Sequence, residues 1–268
     1  MRGLKLSEAL EVCGKVARTG LWGGNAAFVS LLSRPRRAFQ YAASSLFLHR
    51  LASERGLEQR RPQDILGRGS DAEVSVCLSP QSWFHSWDPS YGMDLFWLCL
   101  VTRILRPRHI FEIGTSRGVS ALHFALNSPE ESRVFTLDLP RDASVRPALS
   151  TTIMDRKQIR EWVGSQPVFA GKPESRKIMQ LFSDSASFDF SDFRAKIDLF
   201  FVDGAHSWDY VKSDTEHAFE CCHAGSVILW HDYGRFGVNG VSKYLHRLAR
   251  TREVYRLPGS AIAIHLVQ

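Results

Sequence analysis

From about residue 92 the chain alternates short apolar runs with amphipathic stretches. His109–Ile113, Arg133–Leu137, Ile197–Val202 and Ser226–Trp230 are short, rich in β-branched or aromatic residues and bounded by turn-formers, so they predict strands. Lys177–Phe182 predicts a further short strand, and Glu253–Leu257 and Ala261–Val267 predict two closing strands separated by Pro258-Gly259. Between them, Met93–Leu105 predicts an apolar helix that stops at Arg106-Pro107. Gly118–Leu126, Arg156–Val163, Ser207–Cys222 and Val238–Arg250 predict four more helices. Alternating strands and helices define an α/β fold, a mostly parallel sheet with helices on both faces.

The first 65 residues read differently. Ser7 can cap a helix through Arg18, glycines 20, 23 and 24 break it, and Ala26–Leu32 and Phe39–Ala52 carry apolar residues at helical spacing. Residues 66–90 are loop-like, with Trp83 and Trp87 embedded in Gly, Ser, Pro and Asp. Residues 1–70 hold 12 of the 34 Lys and Arg but only 5 of the 28 Asp and Glu. The formal charge of +6 therefore belongs to this part, and the remainder is close to neutral. A basic face of this kind is either a solvated helix surface or a patch for an anionic partner. With no basic motif interleaved with aromatics, no nucleic acid is expected.

A 268-residue chain that is 44% hydrophobic can bury a full core. Leu95–Val101, the longest central apolar run, is too short to span a bilayer, and no secretion signal is evident. The five cysteines (Cys13, Cys77, Cys99, Cys221, Cys222) lack metal spacing, and Cys221-Cys222 fall on a predicted helix. Reduced thiols and a cytoplasmic location are expected.

Candidate chemistry collects at strand ends. Phe111-Glu112-Ile113-Gly114-Thr115-Ser116-Arg117-Gly118-Val119-Ser120 ends a strand in an acid, turns through two glycines and opens a helix. An α/β fold brings its backbone close to a nucleotide-like ligand in this way. Ser116 stands where a dinucleotide pyrophosphate would want glycine. Asp138 ends the second strand, where a carboxylate can accept both ribose hydroxyls, and Ser183-Asp184-Ser185 follows the third. Asp203-Gly204-Ala205-His206 and His231-Asp232-Tyr233 end the next two. A histidine three residues after a strand-end acid can take a hydroxyl proton. Tyr91 and Trp87 are candidate walls of an acceptor pocket.

These positions together resemble the class I S-adenosylmethionine (SAM)-dependent methyltransferases. From Ile197 to Tyr233 the chain resembles the catechol- and sugar-type O-methyltransferase branch and the broad "methyltransferase domain 24" type. The resemblance covers roughly residues 92–267. It implies a Rossmann-like, seven-stranded sheet whose final strand is antiparallel. It divides the chain into a helical N-terminal extension over 1–75 and a methyltransferase domain over 76–268. It implies SAM as cofactor, with Glu112 on the methionine amine, Gly114, Thr115, Ser116, Gly118 and Ser120 in the binding turn, Asp138 on the ribose, Asp184 on the adenine amine and Asp203 beside the methyl. It implies His206, His231 and Asp232 as the catalytic set. In metal-dependent members the positions of Asp203, His231 and Asp232 bind Mg²⁺. Here His231 replaces an acid, which suits Zn²⁺, Mn²⁺ or Fe²⁺ better, so a divalent cation and no metal both stay open.

The expected reaction is methyl transfer to a hydroxyl of a small-molecule acceptor, a sugar or natural product. Homo-oligomerisation through the N-terminal helices is a further expectation. The rival readings are a nicotinamide-dependent oxidoreductase, disfavoured by Ser116 and by the lack of a Tyr-x-x-x-Lys pair, and a SAM-binding protein without transfer activity.

Overall fold

The computed structural model describes residues 56–69, 71–77, 90–140, 146–153, 155–156, 166–235 and 238–268. The chain divides into two compact units, Met1–Glu54 and Arg55–Gln268. The first lies outside the described residues, and with it the helices expected before residue 55.

Seven strands form one sheet: β1 (His109–Ile113), β2 (Arg133–Asp138), β3 (Ile178–Phe182), β4 (Ile197–Val202), β5 (Cys222–Trp230), β6 (Tyr255–Arg256) and β7 (Ala263–Leu266). Their order is β3-β2-β1-β4-β5-β7-β6. The pairs β1–β2, β1–β4, β2–β3 and β4–β5 are parallel, and β7 runs antiparallel to both β5 and β6. The order reverses between β1 and β4, which puts the ligand crevice beyond the carboxyl ends of those two strands.

The helices are α1 (Pro62–Leu66), α2 (Ser90–Leu105), α3 (Val119–Asn127), α4 (Trp208–Cys221) and α5 (Asn239–Leu248). Strand side chains alternate between two cores. Ile110, Leu199, Phe201, Leu229 and Ile264 pack with Leu98 and Val101 of α2 and Leu122 and Phe124 of α3. Phe111, Ile113, Phe200, Val202 and Trp230 pack with Val211 and Ala218 of α4 and Val241 and Leu245 of α5. Both faces of the central strands are covered, while the edge strand β3 leaves Met179 and Phe182 half exposed.

Two elements depart from expectation. The helix read through Cys222 ends at Cys221, and Cys222 opens β5. The two adjacent thiols therefore sit on different elements, and both are buried. The helix expected over Arg156–Val163 falls mostly outside the described residues. Residues 56–75, placed by the sequence in the extension, belong to the second unit. Arg60 N donates to Arg256 O at 3.1 Å and Arg256 N to Glu58 O at 2.9 Å, extending the sheet past β6. Leu57 N donates to the Tyr233 hydroxyl at 3.0 Å.

Phe111 centres the second core. Its ring lies 4.9 Å from Phe193, 5.1 Å from Phe200 and 5.3 Å from Phe190, centroid to centroid. Phe111→Ala should cost about 3–5 kcal/mol of stability. The check is a lowered denaturant midpoint at unchanged slope, and an unaltered midpoint would contradict this packing.

Candidate active site

Every acid at the carboxyl edge of the sheet has a distinct partner set. Glu112 is fully buried at the penultimate position of β1. The Thr136 hydroxyl donates to Glu112 Oε2 at 2.5 Å, which leaves Thr136 free only to accept from the Thr115 hydroxyl at 2.7 Å. Glu112 Oε1 has no hydrogen-bond partner. Burial pushes the Glu112 carboxyl up to about 8, against the pull of the Ser120 and Thr136 hydroxyls. Above it the Gly114 backbone has φ 101°, and a Cβ there would lie 2.0 Å from Asp203 O. Only glycine fits a turn pressed so closely on the next strand. Ser116 holds a left-handed conformation, φ 47°, and its N–H donates to Asp138 Oδ2 at 2.8 Å. Gly118 precedes α3 as its N-terminal flanking residue.

A cleft opens beside this turn. Gly114, Ser116, Asp138, Ser183, Asp184, Asp203 and Tyr210 are among its lining residues. Asp184 accepts from Ala148 N at 2.6 Å, Ala186 N at 3.0 Å and the Tyr210 hydroxyl at 2.8 Å. These three donors make it an anchor for its surroundings as well as a cleft wall. Behind it, Asp214 of α4 is fully buried with neither carboxyl oxygen hydrogen-bonded.

The histidines and the remaining acids form one network. His206 Nδ1 lies 2.5 Å from Asp155 Oδ1, and His206 Nε2 lies 2.6 Å from Asp232 Oδ2. His231 Nδ1 lies 3.0 Å from Asp203 Oδ1, and His231 Nε2 lies 3.1 Å from Asp94 Oδ2. Arg235 closes the ring, with Nη2 2.5 Å from Asp94 and Nε 3.0 Å from Asp232. An ionised carboxylate only accepts, so each ring nitrogen facing one must carry a proton. Burial opposes the charged form of His206, but the bonds from Asp155 and Asp232 outweigh it and lift His206 to about 10. Burial likewise opposes charge on His231, and Asp203 and Asp232 raise it well above the ordinary value. Asp232 is held well below the carboxylate range, since the His231 and His206 charges outweigh its burial.

Two expectations meet this geometry, His206 as the proton acceptor and the metal set. An unaided histidine loses its base form as pH falls through about 6.5. His206 cannot follow that profile, because both its nitrogens are already protonated against Asp155 and Asp232 and the ring must lose a proton before it can act as a base. The expected metal set is Asp203, His231 and Asp232. The ligand atoms that come within 4.8 Å of one another belong to Asp203, His206 and Asp232. His231 turns its nitrogens to Asp203 and Asp94 instead. Two imidazolium rings and a guanidinium face the four acids Asp94, Asp155, Asp203 and Asp232, leaving about one negative charge over.

Asp94 and Asp155 were missed from sequence. Asp94 reads as one acid at the head of an apolar helix; it is buried and also accepts from Ala261 N at 2.6 Å. Asp155 belongs to a Thr-x-x-Asp pattern, the signature of a helix start rather than of a site. Tyr91 lies within electrostatic reach of His231, Asp203, Asp94 and Glu112, and burial pushes its phenol up to about 12. Trp87 lies outside the described residues.

Residues 111–233, from the Glu112 strand to the His231-Asp232-Tyr233 motif, match a family described as a methyltransferase domain. The seven-stranded, mostly parallel sheet described above is the Rossmann-like fold expected from the sequence. No curated protein matches the chain. Among solved structures, the O-methyltransferase TomG of Streptomyces achromogenes, from tomaymycin synthesis and in complex with SAM, is 17% identical. That alignment covers 78% of this chain and 97% of the other at a TM-score of 0.49. An O-methyltransferase from Bacillus cereus in complex with SAH is 20% identical over 68% of this chain and 83% of the other, with a TM-score of 0.44. The SAH-bound methyltransferase PaMTH1 of Podospora anserina is 15% identical over 74% and 91%, with a TM-score of 0.47.

Burial pushes Asp214 up to about 7, helped by the nearby Asp184 charge and opposed by the Ser185 hydroxyl. The fold therefore favours its neutral form. The stability it lends is full below the ordinary carboxylate range and is lost as pH rises to about 7. Asp214→Asn removes that loss, so its melting temperature should gain more over wild type at pH 8 than at pH 5. An equal gain at both, or none, would show that Asp214 is ionised in the fold.

Proposed function

We propose that this chain is a SAM-dependent O-methyltransferase acting on a hydroxyl of a small molecule. One observation carries the choice of ligand: Glu112, a fully buried carboxyl beneath the Gly114–Gly118 turn, with Oε1 unpartnered. A carboxylate there repels a pyrophosphate and calls for a cation, and the methionine ammonium of SAM is one. Asp138 lies on the cleft wall within reach of ribose hydroxyls, and Ser183, Asp184 and Ser185 lie farther along it. SAM supplies a methyl on a sulfonium centre, displaced in line by the acceptor oxygen. The protein's part is to align that oxygen and take its proton. In this reading the acceptor hydroxyl stands over Asp203 and His206, and its proton passes to His206 Nε2 once that nitrogen has given its own proton to solvent, a form that grows as pH rises toward about 10. His231 is held by Asp94 and keeps Asp203 turned to the cleft. We assign the chain to the cytoplasm, and an assembly through the N-terminal residues goes with the same reading. No helix among the described residues is long and apolar enough to cross a membrane.

The test is calorimetry with S-adenosylhomocysteine, which keeps the ammonium and ribose. With Glu112 at about 8, most of it is neutral at pH 7 in the free protein. An arriving ammonium favours the ionised form, so binding should release a proton, and the observed heat should vary with the buffer's ionisation enthalpy. Glu112→Gln should remove that dependence and cost about 1.5–3 kcal/mol of affinity. Binding without proton release in wild type would sink the Glu112 assignment.

A second reading rests on the clustering of Asp203, His206 and Asp232. Those residues would hold a divalent cation that lowers an acceptor's hydroxyl pKa. Two oxygens and a nitrogen suit Mn²⁺, Fe²⁺ or Zn²⁺ over Mg²⁺. The free Mn²⁺ resonance in an electron paramagnetic spectrum should then fall on adding wild-type protein and stay unchanged with Asp232→Asn. No loss with wild type would remove the metal from the account.

A further inference from the structure

Pro147, Ala148, Leu149, Thr151, Thr152 and Asp155 touch both halves of the site. Pro147, Thr151 and Asp155 line the cleft, along with Asp138 and Asp184. At one end, Ala148 N donates to Asp184 Oδ2 at 2.6 Å, and Leu149 N to the Tyr210 hydroxyl at 3.4 Å. At the other end, Asp155 divides its two oxygens. Oδ2 accepts from Thr152 N at 2.6 Å while Asp155 N donates to Thr152 Oγ1 at 3.1 Å, the reciprocal pair that starts a helix. Oδ1 takes His206 Nδ1 at 2.5 Å and the His206 backbone N–H at 3.3 Å. Starting a helix needs only the first oxygen, and at 4% exposure the second has little access to water.

We propose that Asp155 is a positioning residue for His206, and that, sharing the cleft wall with Pro147 and Thr151, it makes the setting of the His206 ring depend on what fills the cofactor cleft. The Asp155 bond fixes which way the imidazole faces and leaves Nε2 directed at Asp232, the edge where the acceptor hydroxyl is expected. A nucleoside entering the cleft meets Pro147, Thr151 and Asp155 on the same short segment, so its arrival bears on the Asp155 carboxylate. The inference rests on the cofactor reading above in its second half only, since the Asp155–His206 contact stands without it.

The test follows the ring nitrogens of His206 by NMR in full-length, ¹⁵N-histidine-labelled protein at one fixed pH, with His206→Ala to assign the signals. Asp155→Asn should move the His206 signals by more than any other histidine. Thr152→Val, which loses the helix-start bond but keeps the carboxylate, should lower the melting temperature and leave those signals in place. If Asp155→Asn does not fold, Asp155→Glu serves instead: it keeps the helix start and shifts the carboxylate by one methylene, and the His206 signals should move with it. Saturating S-adenosylhomocysteine should shift the His206 signals in wild type and not in Asp155→Asn. Unmoved His206 signals in the Asp155 variants would overturn the positioning role. Bound S-adenosylhomocysteine that leaves wild-type His206 unmoved would overturn the dependence on the cleft. Failure of wild type to bind it at all would instead overturn the cofactor reading, and the Asp155 comparison would still decide the contact.

Discussion

The parallel sheet collects carboxylates at one edge, and the site is organised around keeping them balanced. Glu112, Asp138, Asp203 and Asp232 end or follow adjacent strands, so their spacing is fixed by strand pairing rather than by their own chemistry. Like charges this close and this buried cannot all stay ionised without compensation. The fold answers in two ways. Asp203, Asp232, Asp94 and Asp155 are matched by His206, His231 and Arg235, each acid bonded to at least one cation. Glu112 and Asp214 have no cation and are pushed toward the neutral form by burial.

In the proposed function, that division separates binding from chemistry. The unmatched Glu112 is a place where an incoming cation finds a buried acid with an open oxygen. The matched network holds its protons tightly, so it acts as a unit and not as a set of independent bases. His206 is central to it, bonded to a strand-end acid on one side and to a loop acid on the other. The left-handed backbone at Asp232, φ 60°, and at Ser116, φ 47°, lies at the same edge, where non-glycine strain is held by its surroundings.

The sheet and its acids were legible in the sequence because strand burial leaves a local signature. Ile197–Val202 and Phe111–Gly118 carry their meaning within ten residues. The corrections come from contacts over long separations. Asp94 lies 137 residues before His231 and Asp155 lies 51 before His206, so nothing local couples them. Asp155 was visible only as a helix start, and one oxygen does serve that role. His206 reads as a free imidazole until its two carboxylates are placed. The helix boundary at Cys221 moved by one residue because strand pairing with Ile197 begins at Cys222.

A structure of the complex with S-adenosylhomocysteine tests the account most directly. The account predicts the ligand's amino nitrogen within hydrogen-bonding distance of Glu112 Oε1 and its ribose hydroxyls on Asp138, with the sulfur facing Asp203 and His206. An amino group lying in solvent away from Glu112, or a nucleoside bound outside the cleft, would contradict it.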